Sequence, residues 1–176
     1  MKYLILSSFL LVCICGQAQK EESFSDRLFY GGDVVLSFNT YGVIAGASPQ
    51  VGYRVTDAWA VGLGTGVLYW RQNLGATRDV NTIYNGNVFT RLVIYNNIYA
   101  QSEFQMVNVK VRYFDSFLEE EYTQREWVPA LYVGGGIRQP IGDRAYASFT
   151  VLWDLIDDPR SPYFNPVIRG GISIGF

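Results

Sequence analysis

Arg91 and Glu103 flank a tight turn signal at Asn96-Asn97. If the two flanking segments pair antiparallel, residues whose numbers add to about 194 face one another. Arg91 and Glu103 then form a charge-assisted pair on one face of a hairpin, and Arg54, Arg138, Arg169, Asp33 and Asp154 can join them. Two kinds of chemistry suit such a set. Opposite charges packed inside a narrow barrel make a polar plug that satisfies buried charge, and the same groups spaced along a pore make a gated ion path or proton relay. The plug is the expected reading if the strands that carry these residues close into a small barrel, since eight strands leave room only for side chains to fill it. Two further charge clusters, Glu119-Glu120-Glu121-Tyr122 and Asp157-Asp158-Pro159-Arg160, are read as solvated loop segments. The first could also serve as a surface patch for a cationic ligand or a protein.

Catalysis is not expected. The 176 residues include no His, so a Ser–His–Asp arrangement is impossible. Acid pairs remain conceivable chemistry, but the adjacent acids lie in loops without an evident pocket. Gly134-Gly135-Gly136 stands inside a strand-like segment with no helix after it, so it lacks the context of a phosphate loop. No cofactor or metal site is expected. The formal charge of -2 argues against a nucleic-acid partner, which would call for a basic face. Charged residues are 17% and apolar residues 49% of the chain, excluding an intrinsically disordered protein.

The N-terminus has a different character. Lys2 precedes an apolar run from Tyr3 to Cys15, and Gly16-Gln17-Ala18 follows, small at its first and third positions. This is the pattern of a secretory signal peptide, and the run is too short for a spanning helix. Residues 1–18 are therefore expected to be removed after Ala18, with 19–27 left as a short periplasmic tail. A lipoprotein reading at Cys15 is weakened by Ile14, which is not small. Both cysteines, Cys13 and Cys15, leave with the signal peptide, so no disulfide or thiol chemistry remains.

Positioning the charged residues falls to strands. After Ala18 no segment sustains a helical apolar period, whereas alternation with period two recurs. Eight segments are expected: 28–38, 42–54, 58–70, 87–95, 98–113, 127–138, 145–156 and 166–176. Their connections alternate in length, with 72–86, 114–126 and 157–165 longer and polar. Such asymmetry suits an up-and-down barrel with turns at one rim and loops at the other. Nine charges fall in the strands: the seven named above, Lys110 and Arg112. A lipid-facing Arg or Lys near mid-membrane costs about 2–4 kcal/mol, so central charges should point inward. Gly62, Gly64 and Gly66 form a one-sided row that would relieve crowding in a narrow lumen. Tyr53, Trp59, Tyr95 and Tyr99 gather at one set of strand ends, and Tyr69, Trp70, Tyr113 and Trp127 at the other, as in two interfacial girdles.

The last segment places Ile168, Ile172, Ile174 and Phe176 on one face and Arg169, Gly171, Ser173 and Gly175 on the other. Here the chain resembles the small eight-stranded outer-membrane barrels of the OmpA/OmpX type, and most closely their poorly characterised members. The resemblance covers nearly all of the mature chain expected from Gln19 onward. It implies an all-β, eight-stranded antiparallel up-and-down transmembrane barrel in the outer membrane of a Gram-negative-type cell. It further implies outer-membrane lipid and the barrel-assembly machinery as partners, the latter reading Ile172, Ile174 and Phe176. The role expected is a scaffold for envelope integrity or surface interaction through its loops. The alternative is a secreted, soluble, lipocalin-like barrel that binds a small hydrophobic ligand.

Overall fold

In a computed structural model, residues 23–39, 42–74, 77–115, 120–163 and 165–175 are described. A single 3₁₀ turn, Phe24–Arg27, leads into eight strands. They are β1 (Leu28–Asn39), β2 (Gly42–Arg54), β3 (Trp59–Leu74), β4 (Thr77–Tyr95), β5 (Ile98–Asp115), β6 (Glu120–Gly142), β7 (Ala145–Asp154) and β8 (Val167–Ile174). Each pairs antiparallel with the next, and β8 returns to β1, so the sheet closes into an up-and-down barrel. The expected signal peptide and Phe176 lie outside the described residues.

Alternation decides which way each side chain points. On β4, Ile83, Asn85, Asn87, Phe89 and Arg91 face the lumen and are buried, while Tyr84, Val88 and Leu92 face outward and are exposed. The same parity runs through β5, where Tyr99, Gln101, Glu103, Gln105, Val107 and Val109 line the interior. The outer wall is therefore apolar around its circumference: Val34, Leu63, Val88, Phe104, Val133, Phe149, Ile168 and Ile172 are all exposed.

Glycine supplies room inside. A Cβ on Gly62 would stand 2.4 Å from the Phe89 ring, one on Gly64 2.2 Å from Asn87 Oδ1, and one on Gly66 2.3 Å from Ser48 Oγ. The row expected from the sequence is thus the floor on which larger lumenal side chains lie. Gly136 does the same for Tyr99, and Gly171 for Asp33.

Two expectations need correction. First, residues 72–86 and 114–126 are not long loops. β3 runs to Leu74 and β4 starts at Thr77, with ladder pairs up to Leu74↔Thr77. β5 runs to Asp115 and β6 starts at Glu120, so Glu120 and Glu121 belong to a strand rather than a loop. Backbone pairing continues there although the apolar alternation stops, because a two-stranded ladder needs no buried face to be hydrogen-bonded. Second, the girdles are thinner than expected. Trp59, Tyr95, Tyr69 and Trp127 are exposed, but Tyr99 is buried in the lumen. Trp70 packs against an interior cluster, and Tyr113 bonds Glu126 from the lumenal side. Parity, not position along the strand, sends these three rings inward. Before β1, the described part of the chain is organised from Ser23 onward. Phe24 stacks on Tyr53 at 5.1 Å, and Arg54 Nη2 donates to the Asp26 carbonyl at 2.8 Å.

Candidate functional site: the two-storey lumen

The register across the β4–β5 turn sets the central chemistry. Arg91 lies opposite Gln101, and Phe89 lies opposite Glu103. The expected direct Arg91–Glu103 pairing is therefore replaced by a relay one rung out of step: the tight turn pairs Tyr95 with Ile98, and the ladder shift between Val93 and Tyr95 moves the register by one residue more. Arg91 Nε and Nη2 donate to Gln101 Oε1 at 3.1 and 2.9 Å. Gln101 Nε2 passes the contact on to Glu103 Oε2 at 3.0 Å.

The direct ionic partner of Glu103 comes from the far end of the chain. Arg169 Nη1 on β8 donates to Glu103 Oε1 and Oε2 at 2.8 and 2.9 Å. Glu103 also accepts Asn87 Nδ2 at 2.7 Å. Glu103 is 1% and Arg169 3% exposed. A buried ion pair is retained only where further hydrogen bonds satisfy its remaining lone pairs and protons, and Asn87 and Gln101 do this for the carboxylate. Both guanidiniums also lie over rings: Arg91 over Tyr99 at 4.8 Å, and Arg169 over Tyr132 at 5.1 Å.

Asp33 enters from β1, buried and held by Gln50 Nε2 at 2.7 Å, within electrostatic reach of Arg169 and Arg91. The centre therefore holds two carboxylates and two guanidiniums, balanced in charge and spaced by neutral amides. Four of the seven expected lumenal charges meet here. The other three do not. Arg54 sits near the turn rim against the 3₁₀ segment. Arg138 stacks over Tyr146 at 5.1 Å. Asp154 caps backbone instead, accepting the Leu131 and Ile156 N–H groups at 3.0 Å each. Its place at the end of β7, where strand gives way to loop, leaves backbone donors for it to satisfy. Ile172 and Ile174 point outward and exposed, on the opposite face from Arg169.

Sequence reasoning passed over Gln50, Asn87, Gln101 and Gln105, the uncharged spacers of this network. Their signal was present: Gln101 and Gln105 stand two residues either side of Glu103, on its own face. It also passed over the second storey. Towards the loop rim the lumen becomes apolar, lined by Val35, Ile44, Leu68, Ile83, Val107 and Val109 and completed by Tyr132, Leu152 and Tyr163. Tyr163 comes from the connection between β7 and β8.

That connection is clamped. Arg160 Nη2 donates to Asp158 Oδ2 at 2.7 Å, and Arg160 Nη1 to Glu126 Oε2 at 2.8 Å. Tyr113 donates to the other Glu126 oxygen. At the base of the connection, Asn165 bonds both the N–H and the C=O of Asp154. The Arg160 hydrogen bonds hold the Asp158 carboxyl at about 2, below its ordinary 3.8. A carboxyl whose folded pKa is depressed contributes stability that is present above the unfolded value and lost as pH falls through the folded value. The clamp is therefore expected to persist at pH 4 and to release only as pH approaches 2. Carboxyl carbon shifts of Asp158 followed by NMR check this, and a midpoint near 4 would remove Arg160 as its partner.

Fold and lumen together define a class: a closed eight-stranded antiparallel barrel, apolar outside, with a charged and amide-lined interior. No family model matches the chain, and no curated protein matches it. Among solved structures, the N-terminal β-barrel domain of Pseudomonas aeruginosa OprF is similar to it, at 9% identity and a TM-score of 0.42 over 84% of this chain and 95% of that one.

Proposed function

We propose that the protein is an outer-membrane barrel whose lumen is plugged and whose work is structural and non-catalytic. It holds two long hairpins and the β7–β8 connection at the cell surface, for envelope integrity or surface interaction. The inside-out distribution of polarity carries this reading. Large apolar side chains cover the outer wall while Asp33, Arg91, Glu103 and Arg169 are buried within. In water that arrangement leaves the apolar wall unburied, whereas a bilayer solvates it and closure leaves no sheet edge in lipid. The lumenal network supports the plug reading: its ion pair and amides join β1, β2, β4, β5 and β8 across the interior.

Detergent-extracted protein should migrate differently on a gel before and after boiling, as a closed barrel resists unfolding by detergent alone. In planar bilayers it should show no stable large conductance. A chain that is monodisperse in water without detergent would sink the membrane reading, and a stable large conductance would sink the plug.

A further inference from the structure

The outer wall is not evenly filled. On its turn-side half a hollow of about 620 Å³ runs over β2 to β5, lined by Val51, Tyr53, Val61, Leu63, Val88 and Phe104. A second hollow of about 410 Å³ continues it along β2 and β3 to Pro49 and Thr65. The two share Val51 and Leu63, so they form one groove. Pro49 stands midway along β2 and faces outward, exposed. The β2–β3 ladder stops there, pairing Ala47 with Val67 and resuming at Gln50 with Gly64, and proline brings no N–H to a ladder.

Three features select what fills the groove. The first is its length. Pro49 is four residues from the Tyr53↔Val61 rung, about 13 Å of strand at ~3.3 Å per residue. A strand tilt of ~40° leaves about 10 Å of height, close to one leaflet of a ~25 Å apolar band. The second is its surface. Thr65 donates its hydroxyl to the Asn85 carbonyl at 3.0 Å, and Thr90 accepts Trp59 Nε1 at 2.7 Å. Both hydroxyls are engaged within the wall, so the groove presents mainly hydrocarbon along its length. Ser102, opposite Thr90, adds a hydroxyl only at the turn-side end. The third is its entrance. That end lies beside Tyr53, on which Phe24 stacks at 5.1 Å, and beside the exposed Trp59. Amphipathic rings such as Tyr and Trp sit at headgroup level. Leaflet depth, a hydrocarbon lining and an entrance at headgroup level together match a single acyl chain.

We propose that the groove is a lipid site that seats one acyl chain of a phospholipid from the turn-side leaflet. The chain enters beside Tyr53 and Trp59 and ends against Pro49. This rests on the membrane reading of the outer wall and goes beyond it: one stretch of the wall holds a lipid in a fixed place, whereas the β8 face, with Ile168 and Ile172, meets bulk lipid.

The test titrates dimyristoyl phosphatidylcholine into the full chain in detergent micelles, followed by methyl NMR. The Val51, Val61 and Leu63 resonances should shift saturably, while those of Ile168 and Ile172 drift in proportion to added lipid. Val51→Phe puts a ring where the two hollows join. It should weaken saturable binding about tenfold, the worth of some two methylenes displaced from the groove. Ile168→Phe, a comparable change on the far wall, should leave binding as it was. Groove methyls that merely drift like Ile168 overturn the proposal, as does a Val51→Phe chain that binds as tightly as the unmodified one. Groove shifts that follow protein rather than lipid concentration overturn it in favour of a second copy of the chain. If Val51→Phe does not fold, the titration of the unmodified chain decides. None of these failures touches the membrane reading, which falls separately if the chain is monodisperse in water without detergent.

Discussion

Arg169→Met is expected to destabilise the barrel by about 3–5 kcal/mol, the usual cost of stranding one member of a buried ion pair. Glu103 would keep Asn87 and Gln101 as donors but lose its only ionic partner among the described residues. The side chain of Met matches only the aliphatic stem of Arg, so the change removes the charge together with the guanidinium that lies over Tyr132. The decisive comparison is the double variant Arg169→Met, Glu103→Gln. With both charges gone, most of the loss should return, leaving a deficit on the order of 1 kcal/mol. Denaturant unfolding of protein refolded into lipid vesicles measures both. If the double variant is as unstable as the single one, the ion pair is not what holds this storey, and packing around Arg169 is. Arg91→Met should cost less, because Arg91 donates its hydrogen bonds to a neutral amide, Gln101.

The second large effect belongs to the outer wall. Val88 is exposed and faces outward between Leu63 on β3 and Phe104 on β5. It lies about midway along β4 between Tyr84 and Tyr95, both exposed aromatics. Val88→Arg is expected to cost about 2–4 kcal/mol in a bilayer, the penalty for a cation facing lipid at mid-depth. In water the same change would be nearly neutral or favourable, since it replaces exposed hydrocarbon with charge. Lys110, also exposed but far along β5 towards the loops, marks where such a charge is tolerated. Val88→Arg measured in vesicles therefore tests the environment of the wall rather than its geometry. A change below about 0.5 kcal/mol, the ordinary range for surface substitutions, would deny that Val88 faces lipid.

How much of this was legible in the sequence follows from what alternation encodes. Period two fixes which face a residue occupies, so Asp33, Glu103, Arg91 and Arg169 could be assigned to the lumen, and the bounds of β2 could be read directly. Alternation does not fix which rung a residue occupies. The relay through Gln101 depends on a ladder shift beside Asn96, and no pattern of apolar residues marks it. The upper ends of β3–β6 were illegible for a different reason. Once a hairpin leaves the apolar belt, both faces are polar, and the sequence of a strand there resembles that of a loop. Tyr163 was hidden by its neighbours: Asp157, Asp158, Pro159 and Arg160 announce a solvated turn, and the single ring that folds back carries no periodic signal. Asp154 shows the limit of reading charge alone, since its carboxylate serves backbone N–H groups and not the arginines.

The closure of the sheet sets the order in which the molecule can be built. β5 and β6 are neighbours in the chain and pair from Ile98↔Ile137 to Asp115↔Glu120, a long ladder closed by a short connection. β1 and β8 pair only from Tyr30↔Ile174 to Val35↔Arg169, a short ladder joining the two ends of the chain. Bringing distant segments together carries a loop-closure cost that local hairpins avoid. The local hairpins therefore zip early and the β1–β8 seam comes last, so the unfinished sheet carries two open edges until β8 arrives. Such edges template pairing with other chains. Arg169 lies at that seam, opposite Val35, and reaches Glu103 across the interior. The last strand to dock thus also delivers the guanidinium that neutralises Glu103, and the barrel becomes electrically complete only when it becomes geometrically complete.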